Sequence, residues 1–279
     1  MDRGILRGVS ANMAMTTHQF LTSAWEANPL VIAACLLAMV VYRWFFQFSA
    51  RSLFLVAGLV LFALVLVSPI DALANGYLFS AHMLQHLVLL LMVPPLILLS
   101  LSSEHRSASV KPRIPHIFCW FAGLGAMWIW HTPSLCSAAI QSPMIHRVQY
   151  FSLLAMGTMF WLPILAPQQA HRISPLTGIA YLFSACLGCS VLGIILTFSP
   201  LGACPAYISP SDRLSILTLV RDGWGFTPEK DQQLGGLLMW VPACMVYLAG
   251  IISQLVRWYG SPSTNAGEMP IHTLVGKIS

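Results

Sequence analysis

Long apolar stretches alternate with short polar segments along most of the chain. Because the hydrocarbon core of a bilayer is about 30 Å thick, a helix needs about 20 apolar residues to cross it. Stretches of this kind predict seven transmembrane helices, over residues 29–48, 53–70, 78–101, 114–130, 148–166, 176–199 and 235–256. The pattern therefore predicts an all-α fold, a polytopic membrane helix bundle with seven transmembrane helices.

The amino-acid composition agrees with a membrane location. Hydrophobic residues make up 57% of the 279 residues and charged residues only 8%, whereas charged residues make up about 25% of soluble domains. The formal net charge of +5 is scattered over loops, without the run of Lys and Arg that marks a nucleic-acid surface. We therefore expect the chain to bind the lipid bilayer and no nucleic acid.

The distribution of basic residues predicts the orientation of the bundle. Seven crossings place the termini on opposite sides, and cytoplasmic loops usually carry the excess of Lys and Arg. Six of the 14 basic residues fall on one side of the membrane and eight on the other. The eight are Arg43, Arg51, Arg106, Lys111, Arg113, Arg172, Arg257 and Lys277. We therefore place the N-terminus outside and the C-terminus in the cytoplasm, for a multi-pass protein of the cell (plasma or inner) membrane.

This orientation divides the chain into three regions. They are an outer N-terminal segment (1–28), a seven-span membrane domain (29–258) and a cytoplasmic C-terminal tail (259–279). The residues after Arg7 are too polar for the apolar core of a secretory signal, so we expect no cleavage there. The long connection 200–234 is rich in Pro, Gly, Ser and Asp, and it is either an ordered cap, a partner-binding loop or a mobile loop.

Two histidines interrupt the apolar third span. His82 and His86 are one helical turn apart, roughly 6 Å along the axis, so their imidazoles share a face and could hold one metal ion together. In the alternative interpretation each imidazole hydrogen-bonds a carbonyl of a neighbouring helix and only stabilises the bundle. Ionisable residues in spans usually mark a site, and further histidines in the same leaflet favour the metal.

Other polar residues fall at the outer ends of their spans. His131 closes the fourth span and His146 opens the fifth, and either is a ligand or an ordinary interfacial residue. Asp71 and Asp231 have three possible roles: metal ligand, hydrogen-bond acceptor that orients an imidazole, or helix cap. As a cap, Asp231 would lie at the start of the seventh span. The thioether of Met239 lies about two turns after Asp231 in the seventh span. The candidate metal site therefore contains His82, His86, His131, His146, Asp71, Asp231 and Met239.

The donor types favour copper. Imidazole suits zinc, copper, iron and nickel, whereas an added thioether favours monovalent copper. Met83 and Met239 lie within possible reach of the histidines, so copper is the first choice and zinc stays an alternative. The CxxC pair Cys186 and Cys189 lies in mid-span and is interpreted as helix packing rather than a redox or metal site.

Prolines and the remaining cysteines predict local features. Pro94 and Pro95, Pro163 and Pro242 lie inside spans, where we expect kinks whose freed carbonyls are satisfied by neighbouring helices. Most of the seven cysteines lie within spans and pack as small apolar residues. The exceptions, which could form a disulfide, are Cys136 and Cys204.

Four segments, in order along the chain, resemble the signatures of the CtaG family. They read SPIDALANGYLFSAHMLQHLVLLLMVPPL, WHTPSL, HRVQYFSLLAMGTMFWLPIL and DQQLGGLLMW, within a resemblance that covers residues 30–258. The resemblance implies a multi-span membrane protein that assists the assembly of caa-type cytochrome c oxidases by delivering or inserting copper. Carried over by position, the family's motif residues are His82, His86, His131, His146, Asp231, Gln232, Met239 and Trp240.

These observations favour a non-enzymatic assembly factor. It would take copper from an extracytoplasmic copper donor, bind it at the outer-leaflet histidines and deliver it to a subunit of a haem–copper oxidase. Two alternatives stay open: a membrane b-type cytochrome with two histidines as axial haem ligands, and a structural subunit of a respiratory complex. The sequence contains no nucleophile–base set or phosphate-binding glycine loop, so we do not expect an enzyme.

Overall fold

The computed structural model describes residues 15–47, 49–101 and 114–260, and within these ranges the chain is helical without a strand. The ends 1–14 and 261–279 and residues 102–113, with Phe48, lie outside the described residues. The α-helices are α1 (Thr17–Ser23), α2 (Pro29–Phe45), α3 (Ser52–Val67), α4 (Pro69–Ala74), α5 (Phe79–Leu87), α6 (Val93–Ser100), α7 (His116–Trp130), α8 (Pro133–Gln141), α9 (Pro143–Leu165), α10 (Pro175–Phe198) and α11 (Pro228–Tyr259).

Within the described ranges, four helical segments are long and apolar enough to cross a membrane. They are Phe79–Ser100, which contains α5 and α6, and the helices α9, α10 and α11. The other three predicted spans correspond to the shorter apolar helices α2, α3 and α7, of 15 to 17 residues. These helices rise only about 22–26 Å, which is less than the thickness of the hydrocarbon core. The all-helical membrane fold is therefore confirmed with four candidate spans, and seven crossings stay a prediction.

Two long helices begin earlier than their apolar cores indicate. The fifth span was expected from residue 148 and the seventh from residue 235, but α9 begins at Pro143 and α11 at Pro228. In both, a proline occupies the first turn, where its missing N–H costs no hydrogen bond. The polar first turns, which include His146 in α9, therefore extend each helix beyond its apolar part.

The third predicted span is not a uniform α-helix. Residues Val88–Met92 form a π-helical turn between α5 and α6. The turn ends just before Pro94 and Pro95, which cannot donate to carbonyls one turn earlier. Helix α9 packs closely here, because a side chain at Gly157 would put its Cβ 2.5 Å from the carbonyl oxygen of Leu90. A π-helical turn therefore interrupts the α-helix just before Pro94 and Pro95, whereas α9 and α11 continue as single helices through their internal prolines. The kinks expected at these prolines stay a prediction.

Residues 199–227, which we call the cap, cover one end of the bundle. A disulfide between Cys136 and Cys204, with a Cα–Cα distance of 5.7 Å, ties the cap to α8. The Tyr207 hydroxyl donates to the carbonyl of Ala74, and a small apolar cluster joins the cap to α1 and to the turn before α5: Phe20, Tyr77, Leu78, Ile216 and Val220. The cap is thus an ordered part of the fold, and the disulfide that the sequence left possible between Cys136 and Cys204 is present.

Replacing both Cys136 and Cys204 by Ser should loosen the cap. The bridge closes a sequence separation of 68 residues, and removing a bridge of this kind typically costs about 2–4 kcal/mol. We expect a lower midpoint of thermal unfolding in detergent, whereas Cys35→Ser, which removes a free thiol, should leave the midpoint unchanged. Alkylation of both Cys136 and Cys204 in non-reduced wild-type protein, measured by mass spectrometry, would contradict the bridge.

Candidate metal centre

Four histidines from three helices meet under the cap. His82 and His86 lie on α5, His131 follows the last turn of α7, and His146 lies in the first turn of α9. The ring centroids of His82 and His86 are 4.3 Å apart, those of His86 and His131 5.0 Å, and those of His82 and His146 5.7 Å. We call these four residues the histidine cluster, and they include all the histidines in the predicted site.

Most imidazole nitrogens of the cluster are buried without a hydrogen bond. His82 and His86 are 0% exposed, and both nitrogens of each ring, together with Nε2 of His146, have no partner among the described residues. The Gln149 amide lies beside His86 but makes no hydrogen bond of good geometry. Because each unpaired buried polar group costs about 1–3 kcal/mol, such a concentration is unlike ordinary core packing.

His131 presents its remaining lone pair to a sulfur atom. Its Nδ1 is within hydrogen-bond distance of the Met127 carbonyl, which fixes the proton on Nδ1. Nε2 then carries a lone pair, and it lies 2.9 Å from Sδ of Met83. Two acceptors face each other without a proton between them, an arrangement that a soft or borderline metal ion would stabilise.

Asp71 belongs to a hydrogen-bonded network beside the cluster. Its carboxylate accepts from Nε2 of Gln85 at 2.8 Å and lies 3.3 Å from the hydroxyl of Tyr150. That hydroxyl is 2.7 Å from Oε1 of Gln85, and the Tyr150 ring packs on His146 with centroids 4.2 Å apart. Asp71 therefore reaches His146 only through Tyr150 and touches no imidazole in the described contacts.

The Asp71 carboxyl is held in an environment that disfavours its charge. Burial raises the pKa of Asp71 to about 6, although the hydrogen bonds from Gln85 and Tyr150 favour the ionised form. The group therefore titrates close to neutral pH. Its place in the structure is that of an anchor for Gln85 and Tyr150.

Asp231 caps the helix that carries two of the histidines. Its carboxylate accepts from the backbone amides of Phe79 at 2.7 Å and Ser80 at 3.0 Å, which open α5. The expectation that Asp231 caps its own helix is wrong, because α11 begins three residues earlier and Thr227 is its N-cap. The described contacts join Asp231 to no imidazole, so it positions α5 from α11.

Met239 is fully buried on the face of α11 that also carries Asp231. It lies one turn after Gly235, where an added Cβ would meet Phe79 and Met83. The described contact of Met239 is through its backbone carbonyl, which accepts from the Cys189 thiol, and none joins its thioether to the histidines. Met83 is the methionine that meets the cluster.

The two cysteines of the CxxC motif, Cys186 and Cys189, contact residues of α11. Cys189 donates to the Met239 carbonyl, while Sγ of Cys186 lies 3.0 Å from Sγ of Cys244 on α11. These contacts lie between α10 and α11, the packing interaction expected for this pair.

Sequence reasoning overlooked two members of the site. Gln85 lies between the two histidines of α5, and Tyr150 lies one turn after His146 on α9. A buried amide in an otherwise apolar helix and a tyrosine on the histidine face were the available signals. Neither signal identifies the partner, since the Tyr150–Gln85 contact spans 65 residues of sequence.

The cluster gathers donors without arranging them around one point. Across residues 15–47, 49–101 and 114–260, no group of three or more His, Cys, Asp and Glu side chains is in a metal-holding arrangement. The unpartnered nitrogens of His82, His86 and His146 and the facing nitrogen and sulfur of His131 and Met83 nevertheless form the donor set that copper prefers. Binding would require the rings to turn toward a common point.

The fold and the cluster together define a polytopic membrane protein with a buried imidazole site below an ordered cap. The chain belongs to the family described as cytochrome c oxidase caa3 assembly factor (Caa3_CtaG), whose model matches residues 36–261. The resemblance seen in the four sequence motifs is thereby confirmed. No curated protein and no solved structure matches the chain.

Asp231→Ala should destabilise the protein by releasing the start of α5. Loss of a capping carboxylate typically costs about 1–2 kcal/mol, and Asp231→Asn should lose less because it keeps one acceptor. Glu229→Ala is the matched control, since Glu229 is exposed in the same helical turn. Thermal unfolding in detergent measures the effect, and equal midpoints for the two alanine variants would contradict the capping role.

His86→Leu should stabilise the metal-free protein. The change removes two buried nitrogens that have no partner, so we expect a gain of about 1 kcal/mol, with the smaller His86→Val as a check on overpacking. His171→Leu, at a half-exposed position in a different turn, should change little. If both His86 variants unfold at clearly lower temperature than wild type, the imidazole is a structural hydrogen-bonding group.

Proposed function

We propose that this protein binds copper at the histidine cluster and delivers it to a subunit of a haem–copper cytochrome c oxidase during assembly, without catalysing a reaction. The observation that carries the proposal is the set of buried imidazole nitrogens without partners in a member of an oxidase assembly family. Copper is the cargo, and it arrives from an extracytoplasmic donor.

Different side chains have different roles in binding the copper ion. His82 and His86 form the centre of the site, because they are fully buried and carry four of the unpartnered nitrogens. His131 and Met83 supply a nitrogen and a thioether sulfur, a combination that favours monovalent copper over zinc. The Asp71–Gln85–Tyr150 network holds the neighbouring ring of His146 in place.

The proposal includes a topology of seven crossings with the cluster in the outer leaflet. Three crossings would be made by the short helices α2, α3 and α7, which a membrane accommodates by local thinning and by snorkelling of the flanking side chains. The Cys136–Cys204 disulfide supports an outward-facing cap, because such bridges persist in oxidising compartments. The N-terminus is then outside and the C-terminus in the cytoplasm of the cell membrane.

The two alternatives gain less support from the cluster. A bis-histidine haem requires a porphyrin plane between two imidazoles, whereas adjacent rings here pack with centroids 4.3 to 5.7 Å apart. A purely structural subunit would have its histidines satisfied by hydrogen bonds, which His82 and His86 lack. A strong Soret band in the purified protein would favour the cytochrome.

The double variant His82→Ala/His86→Ala should lose copper. We expect wild-type protein loaded with Cu(I) to retain about one ion per chain after gel filtration and the variant to retain roughly a tenth or less, because two of the borderline ligands are gone. His116→Ala is the control, since His116 is exposed at the opposite end of α7. Elemental analysis measures the copper content per chain. Equal copper content in wild type and double variant would contradict the assignment of the copper site to His82 and His86.

A further inference from the structure

An open cavity of about 340 Å³ lies beside the histidine cluster. Its walls come from the starts of α2 and α9, from α4 and from the cap, so it opens on the cap side of the bundle. Polar side chains line much of it, among them Glu26, Asn28, Asp71, Asn75 and Arg213. A cavity of this size and polarity admits water and a hydrated ion.

His146 belongs both to this cavity and to the histidine cluster. It lines the cavity, whereas His82, His86 and His131 do not. Its Nε2 is buried without a hydrogen-bond partner among the described residues, and the residue is 8% exposed, close to the 7% of His131 and against 0% for His82 and His86. His146 is therefore the imidazole of the cluster that faces this cavity, and it lies next to the fully buried His82.

From His146 the other imidazoles of the cluster follow one another away from the cavity. The centroid of His82 is 5.7 Å from that of His146, His86 follows at 4.3 Å and His131 at 5.0 Å. At the end of the series farthest from the cavity, Nε2 of His131 meets Sδ of Met83 at 2.9 Å. An ion could pass along this series by exchanging one ligand at a time.

The wall around His146 is held in a fixed shape. The Tyr150 ring packs on His146, and its hydroxyl is anchored by Gln85 and Asp71. Tyr150 and Asp71 also line the cavity, so the same network shapes both the cavity and the first ring. A second cavity, next to Tyr207 and Asp231, holds only about 10 Å³, too little for an ion with its ligands.

We infer that the 340 Å³ cavity is the entrance to the metal site and that His146 is the first side chain to take the incoming copper ion. This inference rests on the proposed function, because it assigns the route to the same site. The oxygens of Asp71 and Asn75 replace part of the hydration shell in the cavity, and the imidazole of His146 transfers the ion to His82.

Narrowing the cavity should slow loading without changing capacity. Ala72 lines the cavity, and Ala72→Trp would fill part of it; Leu214→Trp does so from the cap side and serves as a second variant should the first fold poorly. Ile208→Trp is the matched control, because Ile208 is an exposed cap residue outside this cavity. His146→Ala removes the first ligand and leaves the cavity open.

The rate of copper transfer from a Cu(I)–bicinchoninate complex to the full chain in detergent, followed by loss of its absorbance, tests the route. We expect both cavity-filling variants and His146→Ala to load at least about tenfold more slowly than wild type, with the cavity-filling variants reaching the wild-type copper content. Ile208→Trp should load at the wild-type rate. Equal rates for all variants, or equal slowing by Ile208→Trp, would overturn the entrance.

The two proposals fail differently in this experiment. If wild-type protein takes no copper from the complex, the proposed function is wrong and the entrance with it. If wild type loads and the cavity-filling variants load at the same rate, copper binding stands and only the route is wrong.

Discussion

The position of α5 depends on a carboxylate that another helix contributes. Asp231 of α11 accepts the first two amides of α5, and one turn further along Gly235 lets α11 pack directly on Met83. At the other end of α5, the π-helical turn packs against Gly157 of α9. Because α5 carries His82, Met83 and His86, these packing contacts between helices set the geometry of the whole centre.

The polar groups around α5 fall into two neighbouring sets with opposite properties. Asp71, Gln85 and Tyr150 satisfy one another, so burying them costs little beyond their desolvation. Next to this set, both nitrogens of His82 and of His86 are buried without a hydrogen-bond partner among the residues that the structure describes. A bundle that evolved only for stability would fill these positions with apolar side chains, so under the proposed function the unsatisfied set is where copper binding opposes stability.

The sequence predicts the helical membrane fold and the four histidines well, because apolar runs and the four-residue spacing are local properties. It does not predict the partner of Asp231, whose hydrogen bonds to α5 span about 150 residues. The same limit applies to the hydroxyl of Tyr150, whose contacts with Asp71 and Gln85 span 79 and 65 residues, whereas the packing of its ring on His146 is local to α9. The bounds of α3 and α7 also differ from expectation, because Ser68 and Pro69 begin the separate helix α4 and because α7 begins only after Pro115.

X-ray absorption at the copper K-edge of the loaded protein tests the central claim most directly, because it reports which atoms surround the ion. Binding at the histidine cluster predicts the multiple scattering of more than one imidazole together with a sulfur neighbour, which Met83→Leu should remove while the imidazole signal remains. A shell of oxygen neighbours without imidazole scattering would contradict a copper site built from His82, His86, His131 and His146.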